Sequence, residues 1–165
     1  MVYSVRMHPI VAAIRSLLDE HGITYTFLEH ASGKTSEEMC AIRGDFSLSE
    51  GAKALIVALD NGFAQIVVPG DKKFSSSKLR KIAETKEVRF ATEEELAEIT
   101  DGVLPGAVPP FGNLFNIPVY ADTRIFDNER IVFNCGERTT SIAMNPEDYR
   151  TVVRPIIADI AVYEV

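Results

Sequence analysis

Apolar residues recur along this chain with two periods. Behind Pro9, the residues Ile10, Ala13, Ile14, Leu17 and Leu18 fall at helical spacing, and Gly22 marks the stop. From Ile23 to Glu29 the pattern alternates as in a half-buried strand. Thr35-Ser36-Glu37-Glu38 has capping-box spacing and predicts a second helix ending near Gly44. Residues 53–59 are apolar on both faces and return, through Asp60-Asn61-Gly62, as Phe63 to Val68, which predicts a hairpin. A turn at Pro69-Gly70-Asp71 precedes a basic helix from about Ser76 to Glu84 and a short strand from Val88 to Phe90. Thr92-Glu93-Glu94-Glu95 repeats the capping-box spacing and opens a helix ending before Gly102. Pro118 to Ala121 reads as extended. Arg130 to Cys135 and Thr139 to Met144 form the arms of a hairpin around Gly136-Glu137-Arg138. Asn145-Pro146 starts the last helix, and Ile156 to Val162 reads as one final strand. Helices interspersed with hairpins predict an α/β fold with a mixed, largely antiparallel sheet and packed helices.

Lys53 breaks this pattern. It shares a strand face with Leu55, Val57 and Leu59, while Ala54, Ile56 and Ala58 share the other. A strand apolar on both faces is central and buried. An ammonium at its mouth is costly unless an anionic group meets it. The segment from Gly102 to Gly112 is the second departure, with three glycines and three prolines in eleven residues. That composition excludes a helix, and Pro109 and Pro110 supply no ladder hydrogen bonds. A rigid loop with exposed backbone groups suits recognition of a small polar ligand.

With 165 residues, 46% of them apolar and 25% charged, the chain fits one domain with a sizeable core. No apolar run is long enough to span a bilayer, and Met1-Val2-Tyr3-Ser4-Val5-Arg6 lacks the apolar stretch of a signal peptide. A cytoplasmic location is the expectation. The net charge of −7 argues against a sequence-independent nucleic-acid binder. The charge is uneven, because Lys72, Lys73, Lys78, Arg80, Lys81, Lys86 and Arg89 cluster in one stretch. That stretch reads either as a solvated helix face or as a local phosphate-contacting patch.

Gly33-Lys34-Thr35 invites a phosphate-loop reading, but the earlier glycine such a loop needs would fall at Leu28. His8, His21, His30, Cys40 and Cys135 have no ligand spacing, so no metal is expected. His8 and His21 read as surface residues at helix ends, and His30 as a pocket candidate at a strand end. There is no Gly-x-Ser-x-Gly elbow, and Cys40 has no nucleophile context.

An ordered set of residues carries a resemblance. It runs through His30, Thr35-Ser36, Lys53 in Ala52-Lys53-Ala54-Leu55, Val67-Val68-Pro69-Gly70-Asp71 and Lys78-Leu79. It continues through Gly102, Gly106 to Gly112, and Gly136-Glu137-Arg138 leading into a strand. In order and spacing this set resembles the YbaK/aminoacyl-tRNA synthetase-associated editing domains, over nearly the whole chain. The resemblance implies the prolyl-tRNA synthetase-associated domain fold across residues 1–165. It also implies hydrolysis, in trans, of amino acids wrongly attached to tRNA, with alanyl-tRNA(Pro) the leading substrate. A module that holds a tRNA end or a synthetase without hydrolysis is the alternative.

The resemblance also assigns roles. Lys53 would engage the terminal adenosine and its phosphate. Gly106, within Gly106-Ala107-Val108-Pro109-Pro110, would hold the aminoacyl group and orient water, with Gly112 closing the loop. His30, Thr35, Ser36, Arg138 and Ser141 join the substrate-binding set, and Lys72, Lys73, Lys78 and Lys81 would contact tRNA. The implied partners are the aminoacylated acceptor end and prolyl-tRNA synthetase, with no DNA, membrane, metal or cofactor. Pro109, an extra proline in the loop, is expected to narrow the pocket. Leu28 stands where some relatives have an aromatic residue.

Overall fold

The computed structural model describes residues 6–163. The segment Met1–Val5, used above to read the amino terminus, lies outside the described residues. Helix α1 (Pro9–Glu20) buries Ile10, Val11, Ile14 and Leu18 and leaves Ala13 exposed. Its cap is His8, whose Nδ1 accepts from the Ile10 amide while Nε2 donates to the Asp101 carbonyl. After β1 (Tyr25–Glu29), helix α2 (Ser36–Arg43) starts where Thr35 Oγ1 accepts from the Glu38 amide, and it ends at Gly44. The Glu38 carboxylate takes the Lys34 amide rather than the cap's own amide.

The apolar stretch around Lys53 forms β2 (Ala52–Leu59), which turns directly into β3 (Gly62–Pro69). Strand alternation sorts β2 between two apolar clusters. Ala52, Ala54 and Ile56 pack with α1 and the glycine-proline loop, whereas Leu55, Val57 and Leu59 pack with Ile66, Val68 and Leu79. This two-sided burial explains why the strand is apolar on both faces.

The basic stretch divides into β4 (Lys72–Phe74) and α3 (Ser76–Ile82), capped by Ser75. The sequence pattern does not announce β4. Then come β5 (Arg89–Phe90) and α4 (Glu93–Thr100), whose Thr92–Glu95 capping box is complete in both directions. The chain closes with β6 (Val119–Asp122), β7 (Ile131–Asn134), β8 (Thr140–Met144), α5 (Pro146–Val153), β9 (Ile156–Ala158) and β10 (Ala161–Tyr163).

The central sheet has the order β5-β2-β3-β6-β9, with β3–β6 and β6–β9 parallel. The sheets β1-β8-β7 and β10-β4 are antiparallel throughout. The fold is therefore the expected mixed, largely antiparallel α/β arrangement. The final strand, however, is two strands in two sheets. The break falls at Asp159–Ile160, where the buried Asp122 carboxylate accepts from the Ile160 amide and the Ile160 carbonyl accepts from Ser75. Those bonds divert the chain from the edge of the central sheet toward β4.

Candidate functional site

A cavity of about 250 Å³ opens between α2, the start of β2, the tip of the glycine-proline loop and β7. Lys53, Thr35, Ser36, Gly106 and Val108 all line it, so the two sequence features that depart from pattern meet in space. The cavity has three cations in its lining, Lys34, Arg43 and Lys53, and no carboxylate. In a chain of net charge −7 that local imbalance favours an anionic ligand.

Lys53 stands at the second position of β2 and is half-buried. Its Nζ donates only a long hydrogen bond, 3.4 Å, to the Lys72 carbonyl, and no carboxylate pairs with it among the described residues. Among the described residues, no side chain supplies the anion that the sequence pattern calls for.

The loop is held from several sides. Gly106 has φ +83°, in the left-handed region, and lines the cavity. Its carbonyl accepts from Asn134 Nδ2 at 2.7 Å, and the Pro105 carbonyl accepts from Arg138 Nε at 2.9 Å. Beyond Gly106 the loop dives inward. The fully buried Gln65 clamps it with both ends of its amide: Nε2 donates to the Pro109 carbonyl at 2.8 Å, and Oε1 accepts from the Gly112 amide at 2.9 Å. The Tyr149 hydroxyl donates to the Pro110 carbonyl at 2.6 Å, and burial pushes that phenol well above its ordinary range. The Ala107 carbonyl accepts from Gly136.

The structure therefore brings Gly106 and Val108 to the cavity, but not Ala107, Pro109, Pro110 or Gly112. Pro109 is buried on the inner side of the loop, so it does not narrow the opening. Arg138 is exposed and serves the loop from outside.

A polar chain of residues runs back from the cavity wall, starting at Arg43 and Asn134, which line it. Arg43 Nη2 donates to Asn134 Oδ1 at 2.9 Å, and Arg43 Nε donates to Ser141 Oγ at 3.0 Å. Ser141 Oγ lies 2.7 Å from His30 Nε2, and His30 Nδ1 lies 2.8 Å from the Ala31 carbonyl. A carbonyl only accepts, so Nδ1 carries the proton, and the single Ser141 hydroxyl proton is offered to His30 Nε2 and to Asn134 Oδ1, 3.2 Å away. His30 and Ser141 thus support the cavity from behind rather than lining it. Burial pulls the Arg43 guanidinium down to about 10, and no carboxylate pairs with it among the described residues.

The lysines assigned to tRNA fall into two groups. Lys72 is paired with Asp71 at 2.9 Å and stacks over Tyr163. Lys78 binds Asp159 at 3.0 Å and the Ala161 carbonyl at 2.9 Å, tying α3 to β10. Lys73 and Lys81 are exposed and have no ion pair among the described residues.

Sequence reasoning missed Gln65, Arg43 and Asn134. Gln65 left one signal, an amide inside an otherwise apolar strand. Arg43 and Asn134 left none, because their partners lie far away along the chain. No group of three His, Cys, Asp or Glu side chains is placed to hold a metal ion among the described residues. No helix among them is long and apolar enough to cross a membrane.

Residues 30–152 match the aminoacyl-tRNA editing domain, and the chain belongs to that family. It is 35% identical over 91 residues to a proline–tRNA ligase of Bacillus licheniformis, covering 55% of this chain and 16% of the ligase. It is 31% identical over 131 residues to that of Stenotrophomonas maltophilia, covering 77% of this chain and 23% of the ligase. The chain therefore spans only a minor part of the ligases it matches. Its fold is also that of a proposed trans-editing enzyme for prolyl tRNA synthetase, with TM-score 0.80, 21% identity, and coverage of 97% of this chain and 100% of the other.

Proposed function

We propose that this chain acts in trans as an aminoacyl-tRNA deacylase, with alanyl-tRNA(Pro) as the leading substrate. The observation that carries the reading is the convergence of Lys53 and Gly106 on one cavity that no carboxylate lines. Membership of the editing family and the likeness to proline–tRNA ligases support the tRNA(Pro) assignment. Lys53 takes the phosphate of the terminal nucleotide, since its ammonium has no anionic partner among the described residues. The Gly106 peptide, fixed by Asn134, faces the aminoacyl ester.

Water adds to the ester carbonyl carbon, the bond to the ribose oxygen breaks, and that oxygen leaves with a proton. The products are the free amino acid and the deacylated tRNA. Neither histidine nor carboxylate lines the cavity, so proton transfer falls to water and the neighbouring ribose hydroxyl of the substrate. An activated ester needs positioning more than a strong base. The partners on this reading are the aminoacylated acceptor end and prolyl-tRNA synthetase, in the cytoplasm.

The same lack of a general base supports a second reading, a module that holds a tRNA end or a synthetase without hydrolysis. Purified protein mixed with a panel of labelled misacylated tRNAs separates the two. Release of amino acid at catalytic protein levels, fastest from alanyl-tRNA(Pro), supports the deacylase. Binding without release supports the second reading.

A further inference from the structure

Beside the site cavity lies a second one of about 360 Å³. Its floor is the face of β2 that carries Lys53, Leu55 and Val57, and Phe74 of β4 and Phe90 of β5 form its walls. Lys53 and Leu55 line both cavities, so the second adjoins the first. Phe90 stands opposite Val57 in the sheet register, yet it is 58% exposed. Its ring lies 6.1 Å from that of Phe74, with the planes tilted by 59°. Half-open aromatic surface of this kind, beside a cavity, marks an interaction site more than it marks a core.

The charges around the groove are one-sided. Lys53, Lys73 and Arg89 line it, and no carboxylate does. Arg89 is already paired with Glu87 at 3.1 Å and Glu95 at 2.7 Å. Lys53 and Lys73 therefore carry the charge offered to a ligand. Aromatic faces beside cations that track a backbone are the means by which single-stranded nucleic acid is held, because every base has a π-face and every link a phosphate.

We propose that this groove is a stacking site for the unpaired nucleotides immediately preceding the acylated terminal adenosine. One base lies on Phe90, and the adjoining phosphate sits between Lys53 and Lys73. The proposal rests on the deacylase reading, which puts the terminal adenosine beside Lys53. Adjacency of the two cavities across Lys53 then leads the strand into the groove. An apolar peptide would use Phe90 but would leave Lys53 and Lys73, which have no ion pair among the described residues, without a counter-charge.

The test is binding of a short, unacylated, single-stranded oligoribonucleotide ending in CCA, followed by fluorescence anisotropy at several salt concentrations. Phe90→Ala is expected to weaken binding by about 5- to 150-fold, the range for loss of one base–aromatic stack. Phe90→Trp is expected to retain it. Lys73→Gln is expected to weaken binding and flatten its salt dependence. Phe90 is exposed, so thermal unfolding of its variants is expected to stay near wild type and to separate binding from folding. In deacylation, Phe90→Ala is expected to lower the ratio of kcat/KM on acylated tRNA to kcat/KM on aminoacyl-adenosine. Equal oligonucleotide affinity in wild type and Phe90→Ala overturns the proposal, whatever the deacylation assay gives. Binding that depends on Phe90 and Lys73 supports it even where no substrate is hydrolysed, and in that case the enzymatic reading is the one that falls.

Discussion

Asn134 Nδ2 donates to the carbonyl oxygen of Gly106 at 2.7 Å, while Oδ1 of the same amide accepts from Arg43. One side chain therefore pins the loop tip to β7 and satisfies a half-buried guanidinium. Asn134→Asp separates the two tasks. A carboxylate still accepts from Arg43 but cannot donate to Gly106. On the deacylase reading, the variant keeps its thermal stability and loses about five- to tenfold in kcat, the worth of one positioning hydrogen bond. Asn134→Ala is expected to lose activity and also about 1–3 kcal/mol of stability, because Arg43 Nη2 is left without its acceptor. Full activity in the aspartate variant, measured by single-turnover deacylation, rejects the positioning role.

Lys53→Ala deletes a cation whose one hydrogen bond among the described residues is a 3.4 Å bond to a backbone carbonyl. No buried group is orphaned, so unfolding free energy is expected to stay within about 0.5 kcal/mol of wild type. Loss of a charged hydrogen bond to phosphate is expected to lower kcat/KM by about 10- to 150-fold. Near-normal turnover in the folded variant removes Lys53 from the mechanism.

Gly106→Ala acts through backbone conformation rather than crowding. A Cβ at this position meets nothing within 4 Å, but φ is +83°. The expected cost is about 1–2 kcal/mol, less than the roughly 2–5 kcal/mol for truncating the fully buried Ile66 to alanine. Activity is expected to fall as the loop tip relaxes. A denaturant titration that shows global unfolding assigns the loop a purely structural role.

The basic stretch calls for two separate experiments. Lys78→Glu sets a carboxylate against Asp159 and removes the bond to the Ala161 carbonyl, so it is expected to destabilise the protein. Paired reversal of Lys73 and Lys81 leaves those contacts intact. If these lysines meet phosphates, the reversal lowers the slope of log affinity against log salt by about one per lost contact. It does so with little discrimination between tRNA sequences. An unchanged slope leaves both as ordinary surface.

Acid sensitivity is expected near the groove. The Glu95 carboxyl is held down to about 2 from its usual 4.5, first by the hydrogen bond from Arg89 and then by the Thr92 amide. A carboxyl with a lowered folded pKa gives its full stabilisation above the usual value and loses it as pH falls toward 2. Melting temperature is therefore expected to drop through that window, and Glu95→Gln is expected to make the drop shallower. Identical acid limbs for the two proteins contradict the assignment.

By itself the sequence determined what local chemistry controls. The hairpin at Asp60-Asn61-Gly62, the caps at Thr35, Thr92 and Asn145, and the two-sided burial of β2 follow from turn residues, capping side chains and alternation over a few positions. The oddity of Lys53 is legible for the same reason, since an ammonium in an apolar run needs no partner to be conspicuous. Tertiary structure alone decided where the loop's backbone groups are spent. Gln65 and Tyr149 claim Pro109, Pro110 and Gly112 from positions 39 to 47 residues away, which leaves only the loop tip for a ligand. It also decided that Arg43 meets Ser141, 98 residues distant, and that Asp122 divides the last strand by holding Ile160. Turn and cap preferences act within a few residues, whereas these bonds exist because packing two apolar clusters on β2 and β3 brings distant polar groups into places where water cannot satisfy them.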